Sequence, residues 1–416
     1  MYTAQSFKDK FKTINSVDWT KTQSVMDIIQ SVQKDKDCAL KSYSGQFDNV
    51  AIDELEIPWS ELEKAVSSID DDLRHAMEEA HDNIRRYQSS IKLSDSAGKE
   101  LFQKVHPLKR VGVYVPGGTA PLLSTVLMTA VLAKVAGVNE IIVTTPPQPD
   151  GVHPAILAAC HISGVDRVFQ VGGAQAIAAL AYGTETIPKV DKIVGPGNQY
   201  VALAKKLVYG DVGIDSIAGP SEIVIAVDES TNAKWAAFDI LAQAEHDVEA
   251  RTFLVSENEA KLQEIYGQVQ KGLKKQPRES IIRESLANHH FNILTESRDE
   301  TIDIINLIAG EHVSIQTNDA ADYVDRITTA GALFIGDYSP EAIGDYIAGP
   351  SHVLPTGGTA RFSNGLTVND FLRTNSIIAL EKDTFMTMAP GGMRMAEEEK
   401  LNAHYDSLAS RWEDLK

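Results

Sequence analysis

Short apolar runs alternate with longer apolar segments through the middle of the chain. RVGVYV at 110–115 and RTFLVS at 251–256 have the length and β-branched content of buried strands, whereas LLSTVLMTAVLAKVAG at 122–137 has the length of a helix. This alternation predicts βαβ units and parallel sheets. Residues 1–100 predict mostly charged helices, and the final segment, MRMAEEEKLNAHYDSLASRWEDLK, predicts one charged helix.

These elements predict an α/β fold made of two incomplete Rossmann-like parallel-sheet domains, with a helical N-terminal segment and a C-terminal helical tail. A chain of 416 residues is longer than one domain usually is, which agrees with two packed units. The expected boundaries are an N-terminal segment at 1–20, a discontinuous first α/β domain at 21–114 plus 221–366, an inserted domain at 115–220 and a tail at 367–416.

Glycine-containing turns follow three of the predicted strands, each just before a helix. They are Pro116-Gly117-Gly118, Gly172-Gly173 and Gly195-Pro196-Gly197-Asn198. Glycine lets the backbone approach a phosphate group, and the N-terminus of the following helix favours an anion. None has the GxGxxG or GxxxxGK[ST] pattern, and the missing lysine argues against ATP or GTP. The turns therefore indicate a nucleotide site without identifying the nucleotide, and a purely turn-making role stays open.

Gln243 and His246 lie on the predicted helix KWAAFDILAQAEHD, for which Ser230 or Thr231 is the expected N-cap. Because the two residues are three positions apart, they share a helix face and can point at one metal ion. The alternative is a capping or surface histidine near the end of the helix.

Glu311 and His312 follow the predicted helix TIDIINLIAG, for which Gly310 suits the C-cap. Adjacent carboxylate and imidazole groups supply two proton acceptors with different ordinary pKa values, which suits two successive proton transfers. A solvated pair in a loop is the alternative.

Asp345 and His352 lie in GDYIAGPSHVLPTGG, a segment whose glycines and prolines predict a loop of defined shape. With Gln243 and His246 they form a nitrogen and oxygen donor set without thiolate, which suits Zn²⁺ or a similar divalent ion. No HExxH pattern occurs, so a zinc protease of that type is not supported. The neighbouring histidines 289 and 290 cannot converge on one helix and are expected at the surface.

Charge and composition exclude other classes of protein. The formal net charge of −19 is unfavourable for binding nucleic acid or an anionic membrane surface. No apolar run approaches the roughly 20 residues that span a bilayer, and the polar start MYTAQSFKDKFKTINS lacks the core of a signal peptide, so a cytoplasmic location is expected. The only two cysteines, Cys38 and Cys160, cannot form a cysteine-based zinc site.

Six motifs occur in a characteristic order: VGVYVPGG, VGGAQAIAALAYGTETIPKVDKIVGPGN, AGPSE, QAEHD, GEH and GDYIAGPSHVLPT. Over roughly residues 30–410 the chain resembles the histidinol dehydrogenase family. The resemblance implies oxidation of L-histidinol through L-histidinal to L-histidine, the last steps of histidine biosynthesis, with two NAD⁺ reduced and one zinc ion per subunit. It also implies a homodimer in which the tail of one subunit completes the site of the other.

The resemblance assigns roles by position. The positions that match the zinc ligands are Gln243, His246, Asp345 and His404. Those that match the acid–base pair are Glu311 and His312, and those that match NAD contacts are Tyr114, Gln175 and Asn198. The substrate contacts add Ser221, His352 and Glu399 to His312 and the four zinc ligands.

The resemblance and helix geometry disagree at one point. Glu399 and His404 are five positions apart, and on a regular helix of about 3.6 residues per turn they do not share a face. Either the helix is irregular there or the site wraps around it.

Three alternatives stay open at the level of sequence. A related dehydrogenase of another small alcohol, such as a sulfonated diol, would keep the metal and acid–base residues, although the Glu399 carboxylate favours a cationic amine over a sulfonate. A zinc hydrolase would use the metal and Glu311 to activate water, but would leave the glycine turns without a purpose. A catalytically silent binding protein would leave the polar constellation unexplained.

Overall fold

The computed structural model describes residues 1–12, 20–117 and 121–416. Gly118, in the first of the expected glycine turns, lies outside the described residues. The chain divides into two compact units, Met1–Ile91 with Leu108–Phe371 and Lys92–Pro107 with Leu372–Lys416. Among the described residues, no helix combines the length and apolar character needed to cross a membrane.

The described strands are β1 Tyr2–Thr3, β2 Glu56–Ile57, β3 Leu101–Pro107, β4 Arg110–Tyr114, β5 Glu140–Thr145, β6 Arg167–Gln170, β7 Lys192–Val194, β8 Gly213–Ile214, β9 Glu222–Val227, β10 Arg251–Ser256, β11 His290–Leu294, β12 His312–Gln316, β13 Ala332–Ile335 and β14 Leu372–Ile378. The α-helices are α1 Ala4–Phe11, α2 Thr22–Tyr43, α3 Trp59–Ser68, α4 Asp71–Ile91, α5 Leu123–Ala136, α6 Pro154–Ile162, α7 Gly173–Tyr182, α8 Gln199–Val208, α9 Ala233–Ala244, α10 Glu259–Leu273, α11 Glu279–His289, α12 Arg298–Ile308, α13 Glu341–Tyr346, α14 Lys382–Glu398 and α15 Asn402–Asp414.

The first unit contains two six-stranded sheets. Sheet I has the order β2-β6-β5-β4-β7-β8 and is parallel except for the short edge strand β2. At its centre Val113 lies opposite Val143 on one side and Val194 on the other. The chain runs outward from β4 to β6 and then returns to the other side of β4, so the order of the strands reverses between β4 and β7.

Sheet II has the order β1-β11-β10-β9-β12-β13 and is parallel throughout. Val224 occupies the position that Val113 has in sheet I, because it lies opposite Phe253 on one side and Val313 on the other. Here the order reverses between β9 and β12. The two sheets therefore have the same doubly wound topology, and this confirms the fold class expected from the sequence.

Apolar side chains cover the sheets on the faces that the helices pack against. In sheet I, one face packs against α2, α7 and α8 in a continuous core. In sheet II, α1 and α12 cover one face and α9, α10 and α11 cover the other. Helix α5 is apolar on nearly all sides and correspondingly buried along most of its length.

The expected domain that includes 21–114 and the observed sheets disagree about where the strands of that segment belong. Strands β2 and β4 fall within 21–114, yet they pair with strands of sheet I, whose other members lie within 115–220. The segment 21–114 therefore contributes strands to the sheet of the inserted segment and none to sheet II. The four domain boundaries themselves stay a prediction.

The second unit consists of the antiparallel pair β3 and β14 with helices α14 and α15. The single charged helix expected at the C-terminus was wrong, because α14 ends at Glu398 and α15 begins only at Asn402. Lys400, with φ of 59°, has the left-handed backbone that ends a helix. The helix is thus irregular between Glu399 and His404, which resolves the disagreement over their spacing.

Candidate active site

The amino ends of two neighbouring strands of sheet II bring Glu222, Glu311 and His312 together. Glu222 begins β9 and His312 begins β12, and both are buried. The N–H of Glu222 donates to Glu311 Oε2 at 2.9 Å, and its carbonyl oxygen lies 3.1 Å from His312 Nδ1. Because a carbonyl oxygen can only accept, Nδ1 carries the proton of the neutral ring and Nε2 is left as an acceptor.

The other ring nitrogen of His312 faces the site. Nε2 has no hydrogen-bond partner among the described residues, and it lies 3.8 Å from Asp345 Oδ1. Burial lowers the pKa of His312 to about 3, so the ring is neutral near neutral pH. A neutral imidazole with one nitrogen fixed and the other unpartnered is suited to accepting a proton from a bound molecule.

Gln243 and Glu341 meet next to this imidazole. Both are buried, Gln243 on α9 and Glu341 at the start of α13. In the orientation that satisfies both ends of its amide, Gln243 donates its NH₂ group to Glu341 Oε1 at 3.0 Å and to the Glu222 carbonyl oxygen at 3.2 Å. His312 Nδ1 lies 3.1 Å from the same NH₂ group but accepts nothing from it, because its N–H donates to the Glu222 carbonyl oxygen. This leaves the amide oxygen of Gln243 as the atom that can act as a ligand.

His246, Glu341 and Asp345 form a group that could hold a metal ion. One ligand atom from each lies within 4.8 Å of the others. His246 is solvent-accessible, yet it is crowded enough on its protein side that desolvation lowers its pKa, as does the charge of Arg278. A neutral imidazole and carboxylate oxygens are donors that Zn²⁺ accepts.

Several buried carboxyl groups share this region. Burial raises the pKa of Asp345 to about 7 and raises the pKa values of Glu311 and Glu341 well above their ordinary range. Repulsion among the three carboxyl groups acts in the same direction. Without a cation they cannot all be ionised at neutral pH, so the donor set fits a divalent ion, which would favour the ionised forms.

His352 lies against α13, the helix that carries Asp345. Its Nδ1 donates to the main-chain oxygen of Asp345 at 3.0 Å, and burial lowers its pKa to about 4. The hydrogen bond fixes the ring and leaves Nε2 as an acceptor. Ser221 immediately precedes β9, where its carbonyl oxygen accepts from the Arg251 N–H at 2.9 Å.

The residues expected to contact NAD lie at the carboxyl ends of sheet I. Tyr114 ends β4, is buried, and accepts a hydrogen bond from the Gly173 N–H at 3.1 Å, while burial raises its pKa to about 12. Gln175 is buried near the start of α7. Asn198 is the N-cap of α8, where its Oδ1 accepts from the N–H groups of Tyr200 and Val201. The reversal between β4 and β7 is where doubly wound sheets bind ligands.

Glu399 and His404 belong to the second unit. Glu399 follows α14 as its C-cap, and His404 lies in the first turn of α15, with both side chains exposed. Within the first unit, the structure brings together Gln243, His246, Asp345 and the pair Glu311 and His312.

Sequence reasoning missed Glu222 and Glu341. Arg251 Nη1 donates to Glu222 Oε1 at 3.1 Å and the Gly357 N–H donates to Oε2 at 3.0 Å, so this carboxylate anchors two segments around the site. Glu341 lies three residues before the segment GDYIAGPSHVLPTGG, which starts at Gly344. Its spacing of four from Asp345, which places both on one face of a helix, was the available signal.

Other local expectations were wrong. Helix α9 ends at Ala244, so His246 lies in the turn beyond it. The C-cap of α12 is Ala309, with φ of 49°, and Gly310 is not the capping residue. Asp345 lies on α13 and not in a loop. Glu311 and His312 are buried, which excludes the solvated-loop alternative.

The histidines at 289 and 290 do not share a helix, because α11 ends at His289 and His290 begins β11. His290 Nδ1 lies 2.8 Å from Thr252 Oγ1, and its ring stacks on Tyr266 with centroids 5.3 Å apart. The surface position expected for His290 was therefore wrong.

Comparison with known proteins identifies the family of this chain. The family model described as histidinol dehydrogenase matches residues 12–412. The histidinol dehydrogenase of Staphylococcus epidermidis is 50% identical over 413 residues, covering 99% of this chain and 100% of that protein. The Staphylococcus saprophyticus histidinol dehydrogenase is 53% identical over 388 residues, covering 93% of this chain and 92% of that protein.

A solved structure is similar over nearly its whole length. The crystal structure of histidinol dehydrogenase from Elizabethkingia anophelis superposes with a TM-score of 0.93 at 34% sequence identity, covering 98% of this chain and 96% of that one. The resemblance inferred from the six motifs is thereby confirmed: the chain belongs to the histidinol dehydrogenase family.

Proposed function

We propose that this protein is an NAD-dependent, zinc-containing dehydrogenase that oxidises L-histidinol through L-histidinal to L-histidine. The observation that carries the proposal is the unpartnered Nε2 of His312, which lies 3.8 Å from Asp345 in a buried site beside a group of metal-binding side chains. Membership of the family supports the substrate, and its place in histidine biosynthesis follows from it.

The metal would be held by Gln243, His246 and Asp345 of this unit, with His404 as the fourth ligand. Their oxygen and nitrogen donors fit Zn²⁺, and the neutral His246 ring needs no deprotonation before it binds. When bound, zinc orients the imidazole and the amine of the substrate, and NAD⁺ supplies the acceptor for the hydride.

His312 acts as the first base. Its Nε2 takes the proton of the alcohol as the carbinol C–H bond breaks, while Nδ1 stays bound to the Glu222 carbonyl oxygen. The nearby carboxyl groups of Asp345 and Glu341, 3.8 and 3.5 Å from the ring nitrogens, stabilise the imidazolium that forms.

Glu311 acts in the second half of the reaction. Its ionised carboxylate, a stronger base because burial raises its pKa, takes a proton from the water that adds to the aldehyde carbon. His312, which has by then released its first proton to solvent, takes a hydroxyl proton of the hydrate as the C–H bond of the hydrate breaks. Ser221 and His352 contact the substrate, and Tyr114, Gln175 and Asn198 contact the dinucleotide at the carboxyl ends of sheet I.

We further propose that the protein is a homodimer in which Glu399 and His404 are supplied by the tail of a partner subunit. Apolar side chains on the second unit support a partner, because Met388, Met395 and Leu401 are exposed.

A chain truncated after residue 390 should keep the α/β body folded and lose zinc and activity. Full activity of that truncated chain would contradict the role of the tail. The cytoplasmic location stays a prediction.

The proposal is tested by a steady-state assay with L-histidinol and NAD⁺, with and without a chelator, in which NADH is counted per substrate consumed. Two NADH per L-histidinol, lost on chelation and restored by Zn²⁺, is the expected result. One NADH per substrate would contradict the four-electron reaction. Turnover of another substrate with water and without NAD⁺ would favour a zinc hydrolase.

A further inference from the structure

A buried ion pair links α8 to the residue that follows β8, at the edge of sheet I and outside the candidate active site. Lys205 projects from α8 and Asp215 follows β8, and their side chains are only 2% and 3% exposed. The Lys205 ammonium group donates a short hydrogen bond to Asp215 Oδ1. Neither residue takes part in the reaction proposed above.

The pair binds both polar groups of one glycine. Lys205 Nζ donates to the carbonyl oxygen of Gly195 at 3.0 Å, and the N–H of Gly195 donates to Asp215 Oδ2 at 2.7 Å. Gly195 is the first residue after β7 and opens the turn Gly195-Pro196-Gly197. The ion pair therefore holds the turn from within the protein.

The backbone of Gly195 is also constrained from the opposite side. Its φ of 112° is a conformation that residues with a side chain rarely adopt. A Cβ atom added at this position would lie 2.2 Å from the carbonyl oxygen of Tyr114, at the end of β4. The turn is thus held at the point where the strand order of sheet I reverses, between β4 and β7.

The same aspartate fixes the chain that leads towards the active site. Asp215 Oδ1 accepts from the N–H of Ser216 at 2.6 Å, and the Asp215 N–H donates to the carbonyl oxygen of Ile193 at 3.2 Å. From Ser216 the chain continues through Ser221 to Glu222 at the amino end of β9. One ion pair therefore sets the glycine turn and the start of this segment relative to each other.

The energetics favour a positioning role over a purely stabilising one. Removing two charges from water costs free energy that the attraction between them only partly offsets, so a buried ion pair is often no more stabilising than an apolar pair of similar size. What such a pair provides, when every polar atom has a partner, is a defined geometry. Here that geometry is imposed on Gly195.

The Gly195-Pro196-Gly197 turn and the start of α8 offer main-chain N–H donors to a ligand. Within the described chain, the N–H groups of Gly197, Asn198 and Gln199 have no protein acceptor. They lie at the N-terminus of α8, where a helix binds an anion. Asn198 already uses its side-chain oxygen to cap the helix, so the main-chain groups are the ones available to a pyrophosphate.

We propose that Lys205 and Asp215 are positioning residues that hold the Gly195-Pro196-Gly197 turn in the shape required by a dinucleotide pyrophosphate. This inference rests on the proposed use of NAD⁺ and deepens it. Neither side chain touches the dinucleotide. Both act through the main chain of Gly195 and through the orientation of the α8 N-terminus.

The test replaces the pair by apolar side chains, Lys205→Met with Asp215→Leu, so that no unpaired charge is left in the core. NADH binding is measured by fluorescence titration, and hydrogen exchange of the Gly195 amide is followed without any ligand. We expect the Kd for NADH to rise about 10- to 100-fold and the amide to exchange at least about tenfold faster. The KM for L-histidinol and the zinc content should change by less than about twofold.

The matched control is Lys192→Met, at the other end of β7. Lys192 also donates to an aspartate, Asp370, and to its carbonyl oxygen at 2.8 Å. This variant should bind NADH as the wild type does. Should the double variant not fold, Asp215→Asn keeps the shape of the side chain while removing its charge, and the same two measurements apply.

Two outcomes would overturn the inference. The first is a folded variant with unchanged NADH affinity and unchanged exchange at Gly195. The second is an equal loss of NADH affinity, histidinol KM and zinc content, because that would indicate general destabilisation. If the wild type itself binds no NADH, the proposed cofactor fails and this inference fails with it, whereas normal wild-type binding with unaffected variants contradicts this inference alone.

Discussion

Sheets I and II have the same strand order but present their functional residues at opposite ends. In sheet I, the glycine turns and Tyr114 follow the carboxyl ends of the strands. In sheet II, Glu222 and His312 are the first residues of β9 and β12, so the polar site lies at the amino ends. Only in sheet I do the candidate binding residues lie beyond the carboxyl ends of the strands, which is where open α/β sheets bind ligands.

The carboxyl end of sheet II is closed by its own hydrogen bonds. Asp228 follows β9 and accepts from the N–H groups of Ser230 and Asn318, each at 2.9 Å. Thr231 donates its hydroxyl to the carbonyl oxygen of Gln316, the last residue of β12. The gap between β9 and β12, which a ligand would enter, is therefore spanned by side chains of the protein.

The two sheets show that the topology provides a position where a ligand could bind. The local sequence determines whether main-chain N–H groups at that position remain available to a ligand. A glycine turn leaves N–H groups without an acceptor among the described residues, as at the start of α8. Asp228, in the equivalent place after β9, accepts hydrogen bonds from such N–H groups. At the amino ends of sheet II, in contrast, two strands start side by side with polar residues, and this brings the His312 imidazole against the main-chain carbonyl oxygen of Glu222.

The sharpest test of the comparison alters the two ends of sheet II separately. Replacing His312 by Asn removes the base and should lower kcat about 10²- to 10⁴-fold, because that is the usual contribution of a positioned acid–base group. Replacing Asp228 by Asn at the closed end should lower the free energy of unfolding by about 1–2 kcal/mol and leave kcat unchanged. Steady-state kinetics and urea unfolding measure the two effects. A large loss of kcat in the Asp228 variant would show that the closed end is functional.

A second test compares two carboxyl groups that each accept a hydrogen bond from a buried glutamine, one near each end of sheet II. Glu341 accepts from Gln243 at the amino end, whereas Asp239 accepts from Gln316 Nε2 at 2.6 Å at the carboxyl end. Glu341→Ala frees the amide of a proposed zinc ligand and should weaken zinc binding about 10- to 100-fold. Asp239→Ala should leave zinc affinity unchanged. Competition with a chromophoric chelator measures both, and equal affinities in the two variants would remove Glu341 from the metal site.

A third test uses the two strands of sheet II that begin with a histidine, β11 with His290 and β12 with His312. Burial lowers the pKa of His290, the first residue of β11, to about 4. Because the unfolded chain then binds a proton that the folded chain does not, stability falls as the pH falls from about 6.5 towards about 4. Between about pH 7 and about pH 5 this amounts to about 2 kcal/mol.

His290→Gln should remove that part of the acid sensitivity and leave kcat near neutral pH unchanged. The measurement is urea unfolding of both proteins at the two pH values, since His312 and His352 contribute equally to each. If the difference between wild type and variant is the same at both pH values, His290 does not titrate as its burial requires.

The sheets were predictable because their strands are short, apolar and rich in β-branched residues. Strands β4 and β10 lie where RVGVYV and RTFLVS indicate. Strands β11 and β12 were not assigned, because each begins with a histidine that interrupts the apolar pattern. In both cases a polar residue at the start of a buried strand concealed it.

The active site could be predicted only where its residues are near in sequence. Gln243 with His246, and Glu311 with His312, were found from spacing. Glu222 was not assigned a role, because it meets His312 only through pairing of β9 with β12, a contact between residues 90 apart in the sequence. No local pattern records that pairing, so the resemblance to a family had to supply what spacing could not.

The smallest predicted effect compares two helix caps with the same hydrogen-bond pattern. The sequence suggested Ser230 or Thr231 for α9, but Asn232 caps it and accepts from the N–H groups two and three residues later, as Asn198 does for α8. Each Asn→Ala substitution should lower the free energy of unfolding by about 1 kcal/mol, which urea unfolding can resolve. Only Asn198→Ala should also raise the KM for NAD⁺, because α8 alone starts at an open carboxyl end with unpaired N–H groups. An equal KM in both variants would mean that the α8 N-terminus is a structural turn like that of α9, and the contrast between the two sheets would then rest on sheet II alone.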